Sequence, residues 1–202
     1  FGFKKKSGCT SAIYAARSVI KYFTYHGSTV NVCLLDMSKA FDKVNHHGLY
    51  IKLMKRNSPI NFLNVIIDWY SKCYATVLWN GCFSQCFNVL CGVRQGGVLS
   101  PIMFAIYVDD IIVDLKNSHE GCCIDGLYFG CVMYADDLML LSASLSSLQR
   151  MLNVCVTAAS HLDIDFNVKK SMVIRVGQAF GMYVKMLPCM GLTYLLWKRL
   201  NI

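Results

Sequence analysis

Charged residues are scarce in this 202-residue chain, where they make up 16% of the sequence against 55% hydrophobic residues. Chains that remain disordered have the opposite composition, so we predict a folded domain with a sizeable core. Among the charged residues the acidic ones are fewer, with 12 Asp and Glu against 20 Lys and Arg, which gives a formal charge of +8. This excess of positive charge favours a polyanionic partner.

Long uncharged apolar runs are also missing, although the mean hydropathy is +0.41. The most apolar window, residues 98–115, is interrupted by Pro101 and by several aspartates. No run reaches the roughly 20 apolar residues that a membrane-spanning helix needs. We therefore expect no association with a membrane.

The cysteines lack the spacing of a metal site. The chain has 11 of them but no paired C-x-x-C set, and no secretory signal peptide is present. Zinc sites usually need such pairs, and disulfide frameworks belong mainly to secreted chains. We expect an intracellular protein with reduced thiols, and the sequence does not separate nucleus from cytoplasm.

Residues 130–142 place two adjacent carboxylates, Asp136 and Asp137, between two short apolar runs. This pattern predicts a tight β-hairpin with acids at its tip. Because like charges repel at this distance, such a pair favours a bound cation, and carboxylate oxygens suit Mg²⁺. The alternative is a solvated turn in which the aspartates only tolerate tight backbone geometry.

A further candidate carboxylate, Asp36, ends a predicted buried strand over residues 29–37. A strand end holds such a side chain rigidly, as a metal ligand requires. Alternation along a strand points Asp136 and Asp137 to opposite faces, so they are not equivalent. We favour Asp136 as the partner of Asp36, with Asp137 as a helper.

Periodicity and capping signals predict five helices, a hairpin at Asn80-Gly81 and a last strand. The helix over about 102–116 contains a second tyrosine and acid pair, but its apolar flanks continue without a turn residue. We therefore exclude Asp109 and Asp110 from the site. Thr10 or Ser11 caps the first predicted helix, and Pro59 opens the third. His46 and His47 lie at the start of the second helix and are expected at the surface. The remaining elements are a helix over 144–162 and a strand over 172–176.

Two further segments carry groups that suit phosphate chemistry. Residues 92–101 form a Gly-rich loop that leads into a helix, and glycine lets the backbone approach a ligand closely. A loop of this kind could hold a nucleotide or a template strand, or could be one of the Gly-rich turns that often precede helices. Lys169 and Lys170 precede the last strand, where a lysine could neutralise or protonate departing pyrophosphate, or could be a solvated loop charge.

Together these segments resemble the reverse transcriptases of non-LTR, LINE-like retroelements. The resemblance covers about residues 1–176 and rests on ordered blocks: FGFKKKSGCT, LLDMSKAFDKV, GVRQGGVLSP, YADD and NVKKS. It implies an α+β fold, the palm of a right-hand polymerase, with a ferredoxin-like sheet, helices on one face and partial fingers. The implied domains are partial fingers over 1–28, the palm over 29–177 and an unassigned, divergent or truncated thumb region over 178–202.

The resemblance also implies roles for individual residues. Asp36 and Asp136 match the metal-binding pair, with Asp137 beside them, and Lys170 matches a basic residue near the pyrophosphate. Phe41 matches an aromatic gate that crowds the ribose 2′-hydroxyl. The residues that match the loop lining the nucleotide and template are Arg94, Gln95 and Gly96.

The implied activity is RNA-directed DNA synthesis by two-metal nucleotidyl transfer. The implied cofactors are two Mg²⁺ ions, with Mn²⁺ as a possible substitute, and the implied partners are an RNA template, a DNA primer and deoxynucleoside triphosphates. The alternative is an inactive retroelement remnant that at most binds nucleic acid, which the apparently truncated ends favour. A related palm, such as that of a telomerase or an intron-encoded enzyme, fits the SKAFDKV and RQGGVLSP spellings less well.

Overall fold

The computed structural model describes residues 8–177 of the chain. The basic segment at residues 4–6 and the unassigned region over 178–202 lie outside the described residues. The described part of the chain divides into two compact units, the first formed by residues 8–38 and 109–177 and the second by Lys39–Val108. The fingers and palm boundaries stay a prediction.

The elements alternate between helices and short strands along the chain. Their bounds are α1 (Cys9–Tyr25), β1 (Val30–Asp36), α2 (His46–Lys55), α3 (Ile60–Ser71), β2 (Tyr74–Ala75), β3 (Leu78–Trp79), β4 (Cys82–Phe83), β5 (Phe87–Asn88), α4 (Ser100–Asn117), β6 (Cys123–Ile124), β7 (Leu127–Tyr128), β8 (Cys131–Tyr134), β9 (Asp137–Ser142), α5 (Leu145–Ser160) and β10 (Met172–Val176).

A four-stranded sheet in the order β10-β1-β9-β8 forms the centre of the first unit. All of its neighbouring strands run antiparallel. The central strands are short apolar runs, and Val30, Cys33, Leu138, Leu140 and Leu141 are fully buried. The order of these strands, with helical segments after β1 and β9, is that of the predicted ferredoxin-like arrangement.

Helix α1 packs on one face of this sheet. Ala12 and Val19 of α1 form a buried cluster with Val30 and Val32 of β1. The helix begins two or three residues earlier than its predicted caps, because the carbonyl of Gly8 already accepts from the N–H groups of residues 11 and 12. Thr10 and Ser11 therefore lie inside the helix, and Gly8 takes the N-cap position without a side-chain bond.

Helix α5 packs on the opposite face. It contacts β1 and β9, and burial, together with the neighbouring thiols of Cys131 and Cys33, raises the pKa of the Cys155 thiol in α5. Cys33 alternates with Val32, so it projects away from the α1 side. The sequence predicted helices on one face, and α1 adds a helix on the other face because its own apolar stripe needs burial.

The second unit contains α2, α3 and the short ribbons β2-β5 and β3-β4. The predicted hairpin is confirmed, because Asn80 and Gly81 have φ values of 48° and 78° as a tight primed turn requires. His46 is not a surface residue as predicted. It is 7% exposed, and its Nε2 donates to the carbonyl of Gly92 at 2.8 Å.

No helix within residues 8–177 is both long enough and apolar enough to cross a membrane.

Candidate active site

Asp36 and Asp137 lie opposite each other on neighbouring strands. Asp36 is the last residue of β1, Asp137 is the first of β9, and the two are direct partners in the antiparallel register. Such partners project to the same face of a sheet with Cβ atoms about 4.5–5.5 Å apart. Both carboxylates therefore lie at one end of the sheet, where the Asp36 side chain keeps 23% of its surface exposed.

Asp136 occupies the turn that joins β8 to β9. Tyr134 and Asp137 pair across this turn, which leaves only Ala135 and Asp136 between the strands. Ala135 takes the left-handed conformation that such a tight turn needs, with φ of 54°. The predicted hairpin with acids at its tip is thus present in the structure.

The register adds a relation that the sequence analysis missed. Alternation along the strand favours Asp136 as the partner of Asp36, yet the direct cross-strand partner of Asp36 is Asp137. The sequence did hold a signal for this pairing. A two-residue turn is the shortest that joins two antiparallel strands, and it makes Asp137 the first residue of β9. The pairing of Asp36 with Asp136 at a metal ion stays a prediction.

Negative charge accumulates around Asp137. Partial burial, followed by the charges of Asp136 and Asp36, raises the pKa of the Asp137 carboxyl, while Lys170 acts in the opposite direction. Asp137 is therefore close enough to both Asp136 and Asp36 for their negative charges to act on it. A bound cation would relieve this repulsion.

Replacing Asp137 by Asn is expected to stabilise the fold at neutral pH. A carboxyl whose folded-state pKa is raised destabilises the protein where it is ionised in the folded state, and has no such effect below its ordinary pKa of 3.8. Because Asp137 is exposed to solvent, the gain should stay below about 1 kcal/mol. Urea unfolding of the parent and of Asp137→Asn, at neutral pH and below that ordinary pKa, measures the gain and its loss on acidification. A less stable variant at neutral pH would contradict the like-charge account.

Lys170 approaches the acid cluster from the loop before β10. Its Nζ lies 3.6 Å from Oδ2 of Asp36, and 68% of its side chain is exposed. An exposed ion pair of this kind contributes little to stability. Its consequence is the placement of a positive charge beside a carboxylate at the open end of the sheet.

The predicted nucleotide-binding residues lie in the second unit, where the Gly-rich loop is bonded to the segment that carries Phe41. The Val93 N–H donates to the carbonyl of Phe41 at 2.7 Å. The Phe41 ring is half-buried and stacks on Phe104 with ring centroids 4.5 Å apart. The ring predicted as the sugar gate is therefore held by Phe104, and its backbone is bonded to the predicted nucleotide loop.

Gln95, Arg94 and Gly96 are all exposed on this loop. The amide Nε2 of Gln95 donates to Oδ1 of Asp42 at 3.3 Å, and the carbonyl of Arg94 accepts from the hydroxyl of Ser100. Gly96 has φ of 80°, a conformation that favours glycine. Polar side chains and a glycine backbone are thus presented to solvent by a loop that is tied down at both ends.

The carboxylates fit a metal that binds together with its substrate. Within residues 8–177 no group of three or more His, Cys, Asp or Glu side chains is arranged to hold a metal ion by itself. Mg²⁺ commonly uses one or two protein carboxylates and completes its shell with water and substrate phosphates. The hard oxygen donors and the mutual repulsion of Asp36, Asp136 and Asp137 suit that mode of binding.

Comparison with known proteins decides the family. The protein-family model described as reverse transcriptase (RNA-dependent DNA polymerase) matches residues 1–193. The chain belongs to the reverse transcriptase family. Members of this family generally use divalent metal ions.

Relatives of this reverse transcriptase domain come from retrotransposons, which confirms the predicted resemblance. The Pol polyprotein of type-2 retrotransposable element R2DM from Drosophila melanogaster is 26% identical over 175 residues, covering 87% of this chain and 16% of that protein. The RNA-directed DNA polymerase from mobile element jockey of Drosophila funebris is 31% identical over 151 residues, covering 71% of this chain and 15% of that protein. The chain spans about a sixth of the length of these relatives.

Solved telomerase structures share the fold of this reverse transcriptase domain. An apo telomerase from Candida tropicalis, truncated from the C-terminal domain, superposes with a TM-score of 0.65 at 13% identity, over 88% of this chain and 37% of that one. A telomerase from Candida albicans in complex with the TWJ fragment of telomeric RNA gives 0.64 at 14% identity, over 88% and 31%. The predicted right-hand polymerase fold is thereby confirmed.

Proposed function

We propose that this reverse transcriptase domain catalyses RNA-directed DNA synthesis, extending the 3′-hydroxyl of a DNA primer with deoxynucleoside triphosphates. The observation that carries the proposal is the convergence of Asp36, from the end of β1, with Asp136 and Asp137 at the β8-β9 turn. Asp36 is distant in sequence from the pair at the turn, yet its charge and that of Asp136 both act on Asp137 at one end of the sheet. A relative named as an RNA-directed DNA polymerase supports the same activity.

Asp36 and Asp136 are the residues proposed to hold two Mg²⁺ ions, with Asp137 beside them and Mn²⁺ as a substitute. Such ions, when bound, promote deprotonation of the attacking hydroxyl and balance charge on the phosphates. Asp36 contributes a carboxylate fixed at the end of a paired strand, and Asp136 one fixed in a minimal turn. Carboxylates held in this way need little reorganisation on binding their ligand.

Lys170 is proposed to act on the departing pyrophosphate. Its ammonium group lies beside Asp36, so it can balance negative charge that develops on the leaving oxygen or transfer a proton from Nζ to that oxygen. Both roles require the side chain to stay close to the acid cluster.

Phe41, Arg94, Gln95 and Gly96 are proposed to select and orient the incoming nucleotide and the template. The stacking of Phe41 on Phe104 supports a gating role, because a ring held in place can exclude a 2′-hydroxyl by contact. The exposed polar groups of the loop can then bind the nucleotide or the template.

Nucleic acid is the proposed partner of this chain. The formal charge of +8 supports a polyanionic partner, and one telomerase of the same fold was solved in complex with an RNA fragment. We also propose an intracellular location, because no disulfide links the cysteines within residues 8–177, as is usual for proteins of reducing compartments.

The test is RNA-templated synthesis by the full 202-residue chain. With oligo(dT)-primed poly(rA), dTTP and Mg²⁺, we expect incorporation that requires both primer and template. Excess EDTA should abolish it, and added Mn²⁺ should restore part of it. Binding of the primed template without any incorporation would support the inactive remnant instead, and the absence of both would overturn the proposal.

A further inference from the structure

At the end of β1 that carries Asp36, the neighbouring backbone is not β10 but the segment before it, residues 165–171. Strand β10 itself pairs with β1 only between Val30 and Leu34. Beyond that point Met37 forms a bridge with Phe166. The N–H of Asn167 donates to the carbonyl of Asp36 at 2.8 Å, so the backbone of Asp36 is bonded directly to this segment.

Ser171 completes the attachment from the other end of the same turn. It is 2% exposed, its hydroxyl donates to the carbonyl of Asn167 at 2.8 Å, and its Oγ accepts from the N–H of Asp36 at 3.4 Å. Asn167 and Ser171 thus bond to the carbonyl and to the N–H of Asp36, respectively. Nothing in the proposed chemistry requires this buried hydroxyl to contact a ligand.

Lys170 lies within the turn that these two residues close. Its N–H donates to the carbonyl of Asn167 at 3.1 Å, and the side-chain Oδ1 of Asn167 accepts from the N–H of Lys169 at 3.1 Å. The backbone of Lys170 is therefore fixed relative to Asp36, whereas its exposed side chain, with only a surface ion pair, would otherwise be weakly held.

We propose that Asn167 and Ser171 are positioning residues that hold the Lys170 ammonium against the Asp36 carboxylate, so that cation and acid move as one body. The consequence for catalysis rests on the role proposed above for Lys170. The structural part of the proposal is independent of that role and can be measured without catalysis.

Ser171→Ala tests the structural part by the reactivity of Lys170. Acetylation of the folded full chain by a small amine-reactive ester, followed by mass spectrometry, should show Lys170 reacting roughly two to five times faster than in the parent, since its ammonium leaves the ion pair more often. Lys169, in the same turn, is the internal reference and should keep its rate.

Ser118→Ala is the matched control. The Ser118 hydroxyl donates to the carbonyl of Leu115 at 2.7 Å and accepts from the N–H of Glu120 at 3.4 Å, so it repeats the bonding pattern of Ser171 elsewhere in the same unit. This variant should leave the reactivity of Lys170 unchanged. Circular dichroism verifies that both variants are folded, and amide hydrogen exchange at Asp36 should accelerate in Ser171→Ala even if its overall stability falls. Unchanged reactivity of Lys170 and unchanged exchange at Asp36 would overturn the proposal.

The catalytic part is tested by a double-mutant cycle in primer extension. Ser171→Ala should lower kcat by about tenfold with little change in KM for dTTP. This is the effect on the rate of losing the stabilisation that about one hydrogen bond provides. In a Lys170→Ala background the same substitution should have a much smaller effect, limited to what the looser Asp36 backbone costs. Additive losses in kcat would overturn the positioning role of Ser171. An unaltered kcat in Lys170→Ala alone would count against the function proposed for Lys170, and the acetylation result would then decide whether Ser171 positions the Lys170 side chain.

Discussion

Asp136→Asn is expected to lower primer extension by about a thousandfold or more. Asparagine keeps the size and shape of the side chain and is well tolerated in tight turns, so the β8-β9 hairpin should form as before. What disappears is a full negative charge and a hard anionic oxygen in the group that Asp136 forms with Asp36 and Asp137. The loss should therefore appear in the chemical step and not in the fold.

The chain contains a matched control for this substitution. Tyr107 to Asp110 repeats the Tyr-x-Asp-Asp spelling of residues 134–137, but it lies in the middle of α4, as predicted, and Asp110 is exposed there. Asp110→Asn should keep extension within about twofold of the parent, as is usual for surface substitutions.

The measurement is the initial rate of dTTP incorporation on oligo(dT)-primed poly(rA) for the parent and both variants at equal protein concentration. Thermal unfolding of each variant separates a damaged fold from damaged chemistry. Equal rates for the parent and Asp136→Asn would remove Asp136 from the site, and a severe loss in a folded Asp110→Asn would show that the wrong acid pair had been chosen.

Phe41→Val is expected to weaken discrimination between deoxyribonucleotides and ribonucleotides by about 10- to 100-fold. The Phe41 ring is held by stacking on Phe104, and its backbone carbonyl is bonded to Val93 of the Gly-rich loop. In the proposed gate a ring fixed in this way would exclude a 2′-hydroxyl by contact, and valine would remove most of its reach while keeping an apolar side chain. The rate for dTTP should change much less than the rate for UTP.

The ratio of kcat/KM for dTTP to that for UTP measures this discrimination. Phe87→Val serves as the control, because Phe87 is an aromatic residue of the same unit that is 49% exposed and has no predicted role. That variant should keep the parental ratio. Unchanged rejection of UTP by a folded Phe41→Val would withdraw the assignment of Phe41 as the gate.

Local sequence determined most of the elements and the acids that they carry. The apolar run that ends in an acid predicts the end of β1 at Asp36, and Asn80-Gly81 predicts a hairpin. Both features depend on neighbouring residues and on backbone sterics. The same holds for the strand over Met172–Val176 and for the placement of Asp109 and Asp110 in a helix. The ordered blocks then predicted the family, which the comparisons confirmed.

Only the tertiary structure decided how these elements meet. The register that sets Asp36 opposite Asp137, and not opposite Asp136, depends on pairing between strands from distant parts of the chain. The attachment of Asn167 and Ser171 to the backbone of Asp36 is equally non-local. The packing of α1 on the second face of the sheet and the burial of His46 also follow from which apolar surfaces find each other. Periodicity in the sequence indicates which apolar side chains must be buried. Which surface buries them depends on contacts between distant parts of the folded chain.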